Sequence, residues 1–137
     1  NYTSTIDDLI AMNDANLTKE QRSFKQYLLS DMSKKHGNYI LQKAYYVYQD
    51  AQALTDATAR SKKFQEAFAW SQRAYYTATT TDKKAEAIYY LASCSRFMSH
   101  LEAAQEYMDE FFDTYQKQDW LYDLALDLQQ KARARNH

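Results

Sequence analysis

Three histidines, one cysteine and a file of carboxylates are the residues with which this chain could do chemistry. His36, His100 and His137 fall at an expected helix end, a helix start and the terminus. No Glu-x-x-His occurs, so the ligand pair of a di-iron bundle is missing. No His-Glu-x-x-His and no Cys-x-x-Cys offers a zinc site, and a single glycine, Gly37, leaves no Gly-rich phosphate loop. Cys94 has no second cysteine to pair with, and it neighbours Ser95 on an expected inward face. Without a basic partner it reads as a small buried thiol rather than a nucleophile. Glu102, Glu106, Asp109, Glu110 and Asp113 line one helix face at steps of three or four. Such a row could hold a hard cation, but no second helix offers matching ligands, and a solvated outer face is the simpler reading. Neither a metal nor a cofactor is expected, and catalysis finds little support.

The tyrosines are more informative. Tyr45, Tyr46, Tyr48, Tyr75, Tyr76, Tyr89, Tyr90 and Tyr122 exceed what one small core can hold. A phenol joins a broad apolar ring to a hydroxyl that tolerates water, which suits a binding surface. The competing reading wedges the rings between helices with their hydroxyls at the rim.

The elements that must position these side chains follow from composition and periodicity. A chain of 137 residues suits one domain with a sizeable core, and 45% hydrophobic residues exclude general disorder. Proline is absent and glycine occurs once, so few of the tight turns that sandwiches and barrels need can form. Long helices with short polar corners are expected. Seventeen basic against 18 acidic residues offer no electrostatic case for nucleic acid, and the scattered pairs such as Lys34–Lys35 and Lys62–Lys63 suit helix ends. No apolar run approaches the ~20 residues that span a bilayer, so no membrane insertion is expected. A cytoplasmic location is the expectation; because the chain opens on Asn1, an exported or anchored mature fragment is the alternative. Asn1-Tyr2-Thr3 and Asn16-Leu17-Thr18 match the glycosylation acceptor pattern, which has meaning only in a secreted protein.

Seven helices are predicted, about 4–13, 19–35, 38–58, 62–78, 83–97, 100–116 and 120–134, with Arg133–Asn136 fading into solvent. Ser4, Thr18, Asp82, Ser99 and Asp119 are the expected N-terminal caps, Thr18 and Gln21 forming a capping box. Gly37 supplies the stop between the second and third helices. Inward stripes are Ile6, Leu9 and Ile10; Phe24, Tyr27, Leu28 and Met32; and Ile40, Ala44, Val47, Ala51 and Leu54. They continue with Phe64, Ala67, Phe68, Ser71 and Ala74; Ile88, Leu91, Ala92 and Ser95; Leu101, Ala104, Met108, Phe111 and Tyr115; and Leu121, Leu124, Ala125 and Leu128.

A repeat runs through this pattern. Stepping 37 residues carries Leu54 to Leu91, Phe64 to Leu101, Ala67 to Ala104 and Trp70 to Tyr107. In each pair a Leu precedes a small Ala by 13, as two antiparallel helices need where one offers a small side chain to the other's large one. Leu91, Ala92 and Ala104, then Leu54 and Ala67, then Leu124–Ala125, resemble the tetratricopeptide repeat family, whose unit is a helix pair of 34 residues. The resemblance covers about 48–135. The chain departs from the pattern at Thr55 in place of the small Gly, at Thr58 or Ser95 in place of Tyr, and at Thr79 or Gln116 in place of the closing Pro. Its units also run three residues long. A non-repetitive helical bundle is the alternative fold.

What the resemblance implies is an all-α, right-handed stack: N-terminal helices over 1–37, helix pairs at 38–81 and 82–118, and a capping helix at 119–137. First helices would line a concave face with Gln49, Gln52, Asp56 and Arg60, then Glu86, Tyr89, Ser93 and Arg96, then Tyr122 and Gln129. Amides, arginines and tyrosines so placed could hydrogen-bond an extended peptide and stack on its side chains. Gln52 and Asp56 stand near the places where the family's chaperone-tail binders carry Lys and Asn, which disfavours that ligand. The expected function is a non-enzymatic domain binding a protein or peptide. A self-associating structural subunit, for which a homo-oligomer is open, is the first alternative; a helical enzyme or metal carrier is the second.

Overall fold

Where each helix begins and ends depends on what satisfies its free backbone groups. The computed structural model describes residues 1–135, so Asn136 and His137 lie outside the described residues. It holds six α-helices: α1 (Tyr2–Ala11), α2 (Lys19–Ala53), α3 (Ala57–Thr77), α4 (Thr81–Phe97), α5 (Leu101–Thr114) and α6 (Trp120–Arg135). A 3-10 turn at Asp14–Asn16 links the first two, and no strand occurs among the described residues. None of these helices is long and apolar enough to cross a membrane.

The all-helical expectation holds, but the count of seven does not. The segments expected at 19–35 and 38–58 are one helix, α2, of 35 residues. Gly37 lies inside it without a positive φ. Leu29 and Ile40, on either side of Gly37, enter one apolar cluster with Ile6 and Leu9 of α1, Ala74 of α3 and Ala87 of α4. That shared burial outweighs the ~1 kcal/mol that a mid-helix glycine costs. The left-handed stop belongs instead to Ser99, at φ 64°. Its N–H donates to the Arg96 carbonyl at 3.0 Å and the His100 N–H to the Ser95 carbonyl at 2.8 Å, the paired bonds of a Schellman ending. Ser99 therefore terminates α4 rather than capping the next helix, and α5 starts without a side-chain cap.

Other ends follow the nearest competent oxygen. The Thr18 capping box forms as expected, the Thr18 N–H donating to Gln21 at 2.8 Å and the Gln21 N–H to the Thr18 hydroxyl at 3.1 Å. Asp119 accepts the Leu121 and Tyr122 N–H groups, as expected. Asn1 rather than Ser4 caps α1, and Thr80 rather than Asp82 caps α4. Asp56 accepts the Ala59 N–H at 2.9 Å, which starts α3 at Ala57 and ends α2 at Ala53. The corner after α2 begins at Leu54 and the corner after α4 at Met98, a step of 98 − 54 = 44. Ala67 and Ala104, 37 residues apart, are both buried. The ends of α3 and α5, at Thr77 and Thr114, keep the step of the small residues (114 − 77 = 37), whereas the corners before these helices do not, so the paired helices differ in length.

Consecutive helices pack on one another from α2 to α6; α4 also touches α2 and α6, while α1 lies across α2 and α3. Nine residues of α4 are buried, from Ala85 to Ser95, on nearly every side. On the N-terminal half of α2 the expected apolar stripe is shifted. Phe24 and Tyr27 are 61% and 65% exposed, while Lys25 and Leu29 turn inward. Lys25 is satisfied there by the Met12 carbonyl at 3.0 Å and the Asp14 carboxylate at 2.8 Å. α1 is further held to α3 by a two-pronged Arg73–Asp7 ion pair at 2.8 and 2.9 Å. Leu54 becomes a corner residue, and Leu124 is exposed on α6.

Exchanging the roles of Gly37 and Ser99 tests these assignments. A Cβ at residue 37 would stand 3.0 Å from the Ser33 hydroxyl, a contact that a change of the Ser33 rotamer relieves. Gly37→Ala and Ser99→Gly should each raise unfolding free energy by roughly 0.5–1 kcal/mol in urea titrations. A clear loss of stability in Gly37→Ala would restore a helix break at that point.

Candidate binding face

α2 and α4 lie side by side, so residues one turn apart on α2 meet residues one turn apart on α4. The Gln52 amide donates to the Tyr48 hydroxyl at 3.1 Å, and that hydroxyl shares a hydrogen bond with the Ser93 hydroxyl at 2.5 Å. Tyr48 is 5% exposed and Ser93 1%, so each hydroxyl would cost free energy without the other. Ser93 is therefore not open to a ligand as expected. It is small enough for the long Tyr48 side chain to reach it, and the bond is spent inside the α2–α4 contact.

Around that bond runs a chain of aromatic rings. Tyr46 meets Tyr45 edge-on at 5.4 Å, and Tyr45 lies 6.2 Å from Tyr90. Tyr90 is 5.4 Å from Tyr48, Tyr48 is 6.2 Å from Phe64, and Phe64 stacks on Phe97 at 4.6 Å. The path thus leads from exposed Tyr45 and Tyr46 on α2, through the core, to the far ends of α3 and α4. Tyr89 joins from the side, its ring 6.5 Å from Tyr48. Burial, then the Tyr48 phenol and the Asp127 carboxylate of α6, hold the Tyr89 phenol above its ordinary range. The Tyr90 hydroxyl donates to Glu86 at 2.8 Å; burial first and then that carboxylate push its pKa up. Tyr89 and Tyr90 therefore keep their protons at neutral pH, and the Tyr90 hydroxyl acts as a donor.

Two arginines end the path. The Arg60 guanidinium carbon lies 5.5 Å from the Phe64 ring centre and 5.0 Å from that of Phe97; the Arg96 carbon lies 5.4 Å from Phe97. Arg60 belongs to α3, not to the helix before it as expected, because the Asp56 cap places the corner earlier. For the same reason Asp56 is a cap and not a groove residue. Gln49 is exposed on α2. Tyr122 and Gln129 lie elsewhere: with Asp109, Phe112 and Asp113 they line a shallow groove of about 520 Å³ between α5 and α6. The structure thus links Gln52, Tyr89 and Ser93 through Tyr48, and Arg60 and Arg96 through Phe97; Glu86 joins only by way of Tyr90, and Tyr122 and Gln129 lie apart. Phe97 has a part that went unassigned; the Arg60-x-x-x-Phe64 spacing, which sets a cation one turn from a ring, was the available signal.

Residues with chemical potential elsewhere have structural partners. Cys94 is fully buried, and burial pushes its thiol up to about 12, so no thiolate is present at neutral pH. His36 stacks on Tyr2 at 3.9 Å. In the acidic row of α5, Glu110 accepts the Tyr75 hydroxyl at 2.5 Å and Asp109 accepts the Gln105 amide at 2.9 Å. No cluster of three metal-binding side chains occurs among the described residues. Comparison with protein-family models, with curated proteins and with solved structures gives no match in any of the three.

Two outcomes are expected. Tyr48→Phe and Ser93→Ala should each cost about 1–3 kcal/mol in chemical denaturation, by leaving the partner hydroxyl unpaired. The double variant should cost clearly less than the sum; strict additivity would show that the bond carries no coupling. The pH profile should also fall on the alkaline side. For Cys94, Tyr75, Tyr89 and Tyr90 the folded pKa is raised above the unfolded one. Their contribution is therefore complete below the unfolded pKa values, about 8.5 for the thiol and about 10 for the phenols, and is lost as pH rises beyond them. Thermal melts should show a falling midpoint between about pH 9 and pH 12, with part of the tyrosinate absorbance appearing only as the chain unfolds.

Proposed function

We propose that this chain is a non-enzymatic domain that binds a protein or an extended peptide along the face shared by α2 and α4. One observation carries the reading. Tyr45 and Tyr46 stand 40% and 54% exposed beside Gln49 and Gln52, on a surface whose rings are tied into a rigid core. Aromatic rings held in place lose little conformational entropy when they are covered, and the amides next to them can meet a peptide backbone. In this reading the helices form a tetratricopeptide-like stack, α2, α4 and α6 on the ligand side and α3 and α5 behind. The burial of Ala67 and Ala104 and the contacts of α4 with α2 and α6 support it.

A second reading, self-association as a structural subunit, is favoured by a different surface. Phe24 and Tyr27 stack on each other at 6.3 Å while largely exposed, next to Met12. Covering that patch with a second copy would remove apolar area from water.

Light scattering separates the two: a peptide binder keeps the mass of one chain across concentration, whereas a subunit gains mass. Affinity capture with the unaltered chain, followed by Tyr45→Ala/Tyr46→Ala, should then show loss of the captured partner by tenfold or more with the melting temperature unchanged. Capture that survives this double variant undiminished would remove the face as the binding site.

A further inference from the structure

The end of the aromatic path holds two positive charges and no counter-charge. Arg60 and Arg96 reach the same ring, Phe97, from α3 and α4, which puts their guanidinium carbons within about 10 Å of each other. Among the described residues neither lies within 4 Å of a carboxylate, although five other basic side chains on helices do. The Nε–H of each is buried without an acceptor. Charged donors of this kind are normally satisfied, so two guanidiniums without an internal partner leave their remaining N–H groups to an acceptor from outside. Arg60 lines a pocket of about 240 Å³ with Thr55, Ala57, Ser61, Phe64 and Phe97; Arg96 adjoins it only through the Phe97 ring. It opens at the start of α3, where Asp56 caps the Ala59 N–H and the first backbone donors still point outward.

We infer that Arg60 and Arg96 form a receiving site for a carboxylate side chain, so that the partner of this face is an acidic peptide segment. The pocket has room for one Asp or Glu side chain. Guanidinium forks match a carboxylate in plane, and stacking on Phe97 and Phe64 fixes their orientation before anything binds. The two like charges repel each other, and a carboxylate in the pocket beside Arg60 offsets that repulsion. Gln52, whose amide meets Tyr48 one ring away from Phe64, would then meet the residues next to the acidic one, with Tyr45 and Tyr46 further along the path. This inference rests on the binding-face reading and adds the chemistry of its partner.

The probe is a blocked peptide, acetyl-Glu-Tyr-Glu-Tyr-Glu-amide, against the same peptide with Gln for each Glu. Blocking both ends leaves side-chain carboxylates as the only negative charge. By fluorescence anisotropy at 50 mM salt the Glu peptide should bind at least tenfold tighter, and the advantage should shrink severalfold at 200 mM. Arg60→Gln and Arg96→Gln should each bring the two peptides within about twofold of one another. Because either variant could loosen packing on Phe97, the unaltered protein provides a second readout. In spectra of ¹⁵N-labelled chain, the Nε–H signals of Arg60 and Arg96 should shift with the Glu peptide and stay in place with the Gln peptide. Equal binding of both peptides, lost in Tyr45→Ala/Tyr46→Ala, would overturn the arginine site and leave the face reading standing. Binding of neither, with both Nε–H signals fixed at millimolar peptide, would overturn the arginine site and count against the face as well.

Discussion

The rest of the structure depends on α4 being narrow. Ala85, Ala87, Ala92, Ser93, Cys94 and Ser95 give it a slim surface on almost every side, and four other helices press against it. Small side chains let backbones approach closely, and dense packing then supplies the dispersion that a thin helix lacks in apolar area of its own. The cost of this choice is buried hydroxyls. Ser95 returns its proton to the Leu91 carbonyl at 2.7 Å, Ser71 on the neighbouring α3 does the same to Ala67 at 2.7 Å, and only Ser93 reaches out of its helix, to Tyr48. Among the described residues that buried bond and an exposed one, from the Lys83 ammonium to Asn38 at 3.0 Å, join α2 to α4, and the buried one is the more costly to break.

That bond also explains the surface. With Tyr48 anchored, the rings above and below it have fixed neighbours, and the aromatic path runs between a wet end at Tyr46 and a charged end at Arg60 and Arg96. Tyrosines too numerous for one core are thus divided. Some wedge between helices, as Tyr48 and Tyr90 do, and others remain outside, as Tyr39, Tyr45 and Tyr46 do. The wedged arrangement thus holds for part of the tyrosines, and the rest stay exposed.

How far the sequence could be read differs from place to place, for physical reasons. The seams of α4 and α5 were legible because Ile88, Leu91, Ala92, Ala104, Met108 and Phe111 keep helical spacing without interruption. The break expected at Gly37 was wrong because glycine signals a helix stop only where the backbone turns left-handed, and packing on both sides of it decided otherwise. The stop at Ser99 was hidden, since serine has no preference for that backbone region. Register on the N-terminal half of α2 was misread because Lys25, a residue with no apolar signature, is the buried one, held by acceptors from a turn 11 to 13 residues away. For the proposed binding face, the α4 residues came from the register that the tetratricopeptide resemblance implies. The helix assignment of Arg60 and the cap at Asp56 depended on one corner, which a competing side-chain oxygen moved.

The length of α2 has a consequence for how the molecule comes apart. Its C-terminal half is walled in by α3 and α4, but its N-terminal half has α1 as a main cover, ten residues fastened by Ile6, Leu9 and the Asp7–Arg73 fork. A segment that short has little helical stability of its own and stays folded only while docked. Release of α1 would bare Leu29 and Ile40 along the rod without disturbing the Tyr48–Ser93 bond further down it. Amide hydrogens should accordingly exchange with solvent in a gradient, fastest at the first turns and slowest around α4, so that the chain loosens from its beginning while its centre is still intact.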